Sequence, residues 1–375
     1  MFQNISANEA NIKWEKFIYR EDNLYSRNNK LRSDFYRDYT RILHSTSYRR
    51  LKHKTQVFFA TKNDHICTRS EHVNHVASVS YTIGKHLGLN TELIQAIATG
   101  HDVGHPPFGH HGEVILKSII QQHDLLENYW HEKNSLWFLD KIETLPNPDG
   151  KYENLNLTYA VRDGIICHCG EVDENGLKPR EDAINLNTIK STNDVNPYTW
   201  EGCVVKISDK IAYLGRDIED ALALNILSHV ELSILSKIIK DNGLSADYDQ
   251  INNSIIMNNF IADVCSYSSP EKGIVLSENN FKLMKAIKDF NYNYIYSNGR
   301  LNYFKEYATT IIESLFYKLY SYYSENTQTI ISNISDDRNI YPFITESFYT
   351  WLIKLSDIDI MEKSNRNHIN SVIYQ

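Results

Sequence analysis

Apolar positions recur at helical spacing along most of the chain. Within residues 72–87, Val73, Val76, Ala77, Ile83 and Leu87 share one face, and Gly88 is a natural stop. Thr91 reads as the N-cap of the next helix, with Leu93, Ile94, Ala96, Ile97 and Ala98 behind it. A tight turn over residues 87–90 makes these two helices antiparallel and brings the start of the first near the end of the second. In residues 202–224, Val204, Ile207, Ile211, Leu214, Ile218 and Ala221 form one stripe. Asp209, Tyr213 and Asp217 form a second stripe, at i, i+4 and i+8, on another face. Further helices are predicted over 8–17, 41–54, 114–120, 124–139, 157–168, 230–241, 251–267, 280–289, 305–324 and 340–356. Residues 55–60 are strand-like and leave room for a short hairpin around 55–65, but no alternating pattern is long enough for a large sheet. Residues 145–156 read as loop and 170–200 as a long polar excursion. The fold class is therefore mainly α. An N-terminal segment (1–60) packs on a core (61–225), and a C-terminal helical extension (226–375) continues it.

Composition narrows the class of partner. The chain has 39 Lys plus Arg against 47 Asp plus Glu, a formal net charge of -8, so it lacks a global basic footprint for duplex DNA or anionic membrane. Its 5 cysteines are sparse and odd in number, as in a reducing cytosol. Cys167 and Cys169 flank His168; with no second such pair, they read as two buried structural thiols and not as a zinc knuckle. The opening MFQNISANEA shows no basic stretch before an apolar core, and no apolar run approaches the ~20 residues of a membrane span. A cytoplasmic protein is expected.

The chemistry concentrates in residues 101–113, HDVGHPPFGHHGE, which hold four histidines, one aspartate and one glutamate. Gly104, Pro106, Pro107 and Gly109 argue against a continuous helix there, so a shaped loop is expected after Asp102. Imidazole and carboxylate side by side suit Mn, Fe, Zn or Co better than an all-oxygen shell does. The helical pairing places His72 beside His101 and Asp102, and the Asp209 stripe supplies a further carboxylate. Together these four form a candidate shell for a divalent cation that polarises a phosphoryl group and acidifies a bound water. His105 and His110 remain as neighbouring groups. His110 with Glu113 three residues on resembles a histidine oriented by a carboxylate, suited to protonating a leaving oxygen or positioning water. Arg69, Lys210 and Arg50 are candidate cations for an anionic substrate, Arg50 within a basic cluster that also holds Arg49, Lys52 and Lys54.

The segments EH…HDVGHPPFGHHGE and ISDKIAYLGRDIEDA resemble the HD-domain superfamily, and with RDYTRILHSTSYRRLKHKTQVF they resemble its dGTP triphosphohydrolase and dNTPase branch. The resemblance covers about residues 32–224 and is looser beyond them. It implies an all-helical HD core. It implies His72, His101, Asp102 and Asp209 as metal ligands, with Mn, Mg, Fe, Co and Zn all open. His110 and Glu113 match the catalytic histidine and its orienting acid; His105 and His131 match active-site histidines near the phosphates. Arg69 and Lys210 match phosphate-binding positions, and Gln56, Tyr213 and Asp217 match residues that contact the deoxyribose. The implied reaction is hydrolysis of a dNTP at the α-phosphate to deoxynucleoside and inorganic triphosphate, serving dNTP pool control or depletion against phage. A homo-oligomer (tetramer or hexamer), a nucleotide activator and single-stranded nucleic acid are the partners it allows; a membrane is not among them. Two alternatives share the same metal shell or fold: another HD phosphohydrolase acting on monophosphates or cyclic nucleotides, and a non-catalytic nucleotide-sensing module.

Overall fold

A computed structural model describes residues 2–24, 31–58, 63–123, 129–169, 175–191, 195–244, 252–322 and 327–356. Among these the extended regular structure is helical apart from one two-stranded antiparallel hairpin. In chain order the helices begin with α1 (Trp14–Phe17), α2 (Asp34–Leu43), α3 (Thr46–Arg50), α4 (Arg69–Leu87), α5 (Thr91–Gly100), α6 (Gly109–Gln122), α7 (His131–Trp137), α8 (Tyr159–Ile166) and α9 (Trp200–Ala223). They continue with α10 (His229–Asp241), α11 (Asn253–Tyr267), α12 (Glu278–Phe290), α13 (Asn302–Tyr320), α14 (Thr327–Asp336) and α15 (Pro342–Ser356). The chain divides into two compact units, one of residues 1–105 and 131–302, the other of 106–130 and 303–375. These limits differ from the segments drawn on the sequence at 60 and 225.

The first unit is organised around α5, which packs against α2, α4, α8 and α9. Leu93, Ile94, Ala96, Ile97 and Ala98 are all buried, as a helix enclosed on every side requires. The antiparallel α4–α5 pair forms as the spacing predicts. Thr68 and Glu71 make a reciprocal capping box at the start of α4, and Gly88 ends it in the left-handed region at φ 79°. The cap of α5 is Asn90 and not Thr91: its side chain accepts from Glu92 N (3.1 Å) and Leu93 N (3.2 Å).

Several other expectations are corrected. Of residues 8–17 only Trp14–Phe17 is helical, because Asn11 donates to the carbonyls of Ile5 (3.1 Å) and Ser6 (3.0 Å) and holds a compact turn instead. The helix expected over 41–54 breaks where Ser45 caps α3, accepting from Tyr48 N at 3.2 Å, and ends in a 3-10 turn, Leu51–His53. Around 55–65 the described residues show only the isolated bridge Thr55↔Thr68, and residues 59–62 lie outside the described set. The hairpin instead pairs β1 (Thr144–Pro146) with β2 (Tyr152–Asn154), within the stretch read as loop. Its turn is held by Asn147 Oδ1, which accepts from Asp149 N and Lys151 N at 2.9 Å each. The helix expected over 124–139 is described only from His131 and runs on as a π-helical turn, Phe138–Ile142; residues 124–128 are outside the described set. In the 170–200 excursion, Leu177, Leu186 and Ile189 are buried, so this segment packs rather than standing off the surface; residues 170–174 and 192–194 are outside the described set.

In the second unit α6 starts at Gly109, five residues before the expected start at 114. Phe108 (φ 63°) and Gly109 (φ 57°) adopt left-handed backbone, so the chain turns there and the following residues enter the helix directly. The loop after Asp102 is therefore short, and His110, His111 and Glu113 ride on the first turns of α6. His111 Nε2 lies 3.1 Å from the carbonyl of Lys305 at the start of α13, and Tyr317 donates to Gln122 Oε1 at 3.1 Å. Residues 357–375 lie outside the described set.

Candidate metal centre and its surroundings

His72 lies in the first turn of α4 and His101 at the C-cap of α5, so the antiparallel pairing brings their rings to 5.6 Å between centroids. Asp209 on α9 faces both. His72 Nε2 is 2.9 Å from Asp209 Oδ1 and 3.9 Å from Asp102 Oδ2; His101 Nε2 is 3.5 Å from Asp102 Oδ1 and 3.9 Å from Asp209 Oδ1. His101 Nδ1 is 2.7 Å from the Ala98 carbonyl, which makes Nδ1 the protonated nitrogen and leaves Nε2 as a lone pair. That Nε2 is buried and has no hydrogen-bond partner among the described residues.

This donor set fits a divalent cation. The ligand atoms of His72, His101 and Asp209 all lie within 4.8 Å of one another. Bonds of about 2.0–2.2 Å from one ion to imidazole and carboxylate place such donors about 3–4 Å apart. An orphaned imidazole lone pair buried beside two carboxylates is otherwise a desolvation cost without return.

The electrostatics favour ionised acids. Burial would raise the Asp102 carboxyl, but His105, Arg69 and His101 together hold it well below the usual carboxylate range. Asp209 is likewise held low against burial, by the hydrogen bond and charge of His72 and by His101 and His168. Burial alone would lower the His72 imidazolium; Asp209 and Asp102 outweigh it and raise it. Burial and Arg69 drive the His105 ring well below its ordinary value, despite Asp102 Oδ1 2.9 Å from His105 Nδ1.

The remaining expected residues fall in three places. Arg69, expected at the phosphates, pairs here with Asp102: Nη1 is 2.6 Å from Oδ2. Its Nη2 also reaches the backbone carbonyl of Gln56 at 3.4 Å, and the Gln56 side chain is buried. His131 opens α7, and its ring lies over that of His105 at 3.7 Å. On α9, Lys210 and Tyr213 are half-buried and Asp217 is fully buried, with Tyr296 donating to Asp217 Oδ2 at 2.5 Å. His110, exposed, and Glu113, buried and 2.7 Å from Lys117 Nζ, stand on α6 in the other unit. Arg50 stacks over the Phe138 ring at 5.1 Å.

Sequence reasoning missed three groups. Lys54, read only as one of a basic cluster, points inward. It donates to the His105 carbonyl at 2.5 Å, and burial with Arg50 and Arg69 nearby pushes its ammonium down to about 7. Tyr296 carries no signal in the sequence. His168 was read only as the residue between two cysteines. Of those thiols Cys167 is buried as expected, whereas Cys169 is only half-buried. The His168 ring is buried at 4.8 Å from His101 and 5.5 Å from His131, and burial with those two neighbours pushes it down to about 3. Its signal was position: like His101, it follows the end of an apolar helix.

The helical core with histidines and aspartates converging at these positions is accompanied by a family match: residues 69–214 match the HD domain family. Relatives extend the match beyond the core. The chain is 33% identical over 292 residues to the deoxyguanosinetriphosphate triphosphohydrolase-like protein of Caldanaerobacter subterraneus subsp. tengcongensis, covering 77% of this chain and 73% of that protein. Likewise named proteins of Clostridium tetani (33% over 324 residues; 84% of this chain, 81% of the relative) and Pelagibacter ubique (32% over 352 residues; 84% and 89%) match at similar levels. The chain belongs to the family of deoxyguanosinetriphosphate triphosphohydrolase-like HD-domain proteins. No helix among the described residues is long and apolar enough to cross a membrane.

Proposed function

We propose that this protein hydrolyses deoxynucleoside triphosphates at the α-phosphate. Water adds to the α-phosphorus, the bond from that phosphorus to the 5′-oxygen breaks, and the products are a deoxynucleoside and inorganic triphosphate. The observation that carries the reading is the convergence of His72, His101, Asp102 and Asp209 at ligand distances, in a chain whose relatives are named deoxyguanosinetriphosphate triphosphohydrolase-like proteins. These four residues would hold a divalent cation such as Mn. When bound, it supplies Lewis acidity to a phosphoryl oxygen and lowers the pKa of a coordinated water.

The chain's own residues do the rest. His105 and His131, stacked at 3.7 Å, present ring nitrogens for phosphate oxygens, and Lys210 adds a cation on α9. Tyr213, Asp217 and Gln56 recognise the sugar. Asp217 takes a fixed orientation from Tyr296, so its carboxyl is set before a 3′-hydroxyl arrives. His110, with Glu113 in the same motif, delivers the proton to the departing 5′-oxygen.

The test is metal removal and ligand replacement. Chelator-stripped protein should be inactive on dNTPs and recover with added Mn²⁺. The D102N and D209N variants should lose at least about 100-fold in kcat/KM, since even an outer partner of a ligand is worth 10–100-fold. Full activity of the stripped protein, or of both variants, would overturn the reading.

A further inference from the structure

Of the three groups proposed to recognise the sugar, Tyr213 and Asp217 stand on the long helix α9, whereas Gln56 stands on no helix or strand. The 3-10 turn Leu51–His53 ends before it, and among the described residues its segment pairs only through the bridge Thr55↔Thr68. Two backbone hydrogen bonds flank that bridge. Arg69 N donates to the Lys54 carbonyl at 2.8 Å, and Gln56 N donates to the Cys67 carbonyl at 3.1 Å. So short a pairing is marginal on its own. Yet the Gln56 side chain is buried, and its Oε1 has no hydrogen-bond partner among the described residues. A buried amide oxygen left open to a hydroxyl recognises it only if something holds the amide in place.

The hold comes from α9. Asp220, three residues beyond Asp217, is 3% exposed, and its Oδ2 accepts from Cys67 N at 2.9 Å. Its Oδ1 lies 3.3 Å from Arg216 Nε, and Arg216 Nη2 donates to the His65 carbonyl at 2.8 Å. Asp220 and Arg216 thus grip the backbone of residues 65–67 at two points, each through a charge-assisted hydrogen bond. Cys67 passes the hold on: its N–H goes to Asp220 and its carbonyl takes the Gln56 N–H.

A buried carboxylate that merely fastens a loop is the plainer explanation, and it predicts that its loss affects every substrate alike. The placement argues for more. The residue that Asp220 fastens is the one bonded to Gln56, and the helix that fastens it also carries Asp217. The spacing of Gln56 from Asp217 is therefore set by one rigid element and two hydrogen bonds. We propose that Asp220, together with Arg216, is a positioning residue that sets Gln56 against the sugar and so determines how strictly a 3′-hydroxyl is required. This rests on the reading of Gln56 as a sugar contact. Truncating Asp220 leaves Cys67 N without its acceptor, frees residues 65–67 and lets Gln56 withdraw from the hydroxyl.

The experiment compares kcat/KM for a dNTP with that for the matching 2′,3′-dideoxynucleoside triphosphate, with Mn²⁺. The preference for the 3′-hydroxyl is expected to fall about tenfold in D220A, the worth of one hydrogen bond. D220N keeps an oxygen for Cys67 N and should retain most of the preference. Q56A should show the same fall as D220A, and the double variant no further fall, because the two residues act in series. An unchanged preference in D220A, equal losses in D220N and D220A, or D220A and Q56A effects that multiply would overturn the proposal and leave the proposed function standing. So would a wild type that hydrolyses both substrates equally well. A wild type that releases no triphosphate from any dNTP would overturn both. If D220A does not fold, R216A decides: a reduced preference is expected, and the wild-type preference would overturn the proposal.

Discussion

The Arg69 guanidinium lies 2.6 Å from Asp102, and both side chains are buried. One cationic side chain thus already stands against a carboxylate of the candidate metal centre. Breaking a buried pair by removing one partner costs about 3–5 kcal/mol, because the other charge is left uncompensated. In the R69Q variant the metal-free protein should therefore melt well below wild type. Added Mn²⁺ should restore much of that loss, so the rise in Tm on Mn²⁺ addition is larger in R69Q than in wild type. Thermal melts with and without Mn²⁺ read both numbers; an equal rise in the two proteins would show that Arg69 does not balance Asp102.

Asp217 gives a pH dependence. Burial pushes its carboxyl up to about 7, against the hydrogen bond from Tyr296 that lowers it. Between the ordinary value of 3.8 and about 7 the folded state keeps a proton that the unfolded state has lost. Stability from this group therefore falls as pH rises through that window, by up to about 1.4 kcal/mol per pH unit, and is flat outside it. The D217N variant lacks this slope. Its stability relative to wild type should grow from pH 4 to pH 7 and level off above, as read by denaturant melts across pH. A constant difference over that range would contradict the assignment.

Glu201 fastens the N-terminal segment to the α4–α5 turn. Its buried Oε1 accepts from Ser6 Oγ (2.8 Å), Ala7 N (2.9 Å) and Asn90 N (3.0 Å). The E201A variant strands three donors and should lose about 3 kcal/mol or more. E201Q keeps an acceptor at Oε1 and should lose less than half as much. Equal losses in urea melts would show that volume, not hydrogen bonding, is what the site requires.

Gly104 packs its backbone directly against the backbone of α7. A Cβ there would stand 2.0 Å from Ser135 N and 2.4 Å from Asn134 C, both backbone atoms that cannot rotate away. Gly104 N also donates to Ser135 Oγ at 2.9 Å, and Ser135 Oγ donates to the His101 carbonyl at 2.7 Å. The G104A variant should displace α7 and with it His131, costing about 1–3 kcal/mol or more. Unchanged Tm and activity in G104A would contradict this packing.

The sequence made the α4–α5 pair legible because helical periodicity and Gly88 act locally. Their pairing put His72 beside His101 without any tertiary information, and the Asp209 stripe followed from the same spacing. What it concealed depended on side chains competing with the backbone or on distant packing. Asn90 and Ser45 moved helix starts through their own hydrogen bonds. Tyr296 is one of 25 tyrosines and meets Asp217 only because α9 packs against the π-helical turn Asn291–Tyr296. His168 meets His101 only because α8 packs on α5.

The central claim is hydrolysis at the α-phosphorus of a dNTP. The most direct measurement is phosphorus NMR of the products from each dNTP with Mn²⁺ in ¹⁸O-labelled water. Inorganic triphosphate carrying one ¹⁸O on a terminal phosphorus, with an unlabelled deoxynucleoside, is the expected result. Pyrophosphate with a deoxynucleoside monophosphate, or label in the 5′-hydroxyl, would contradict it.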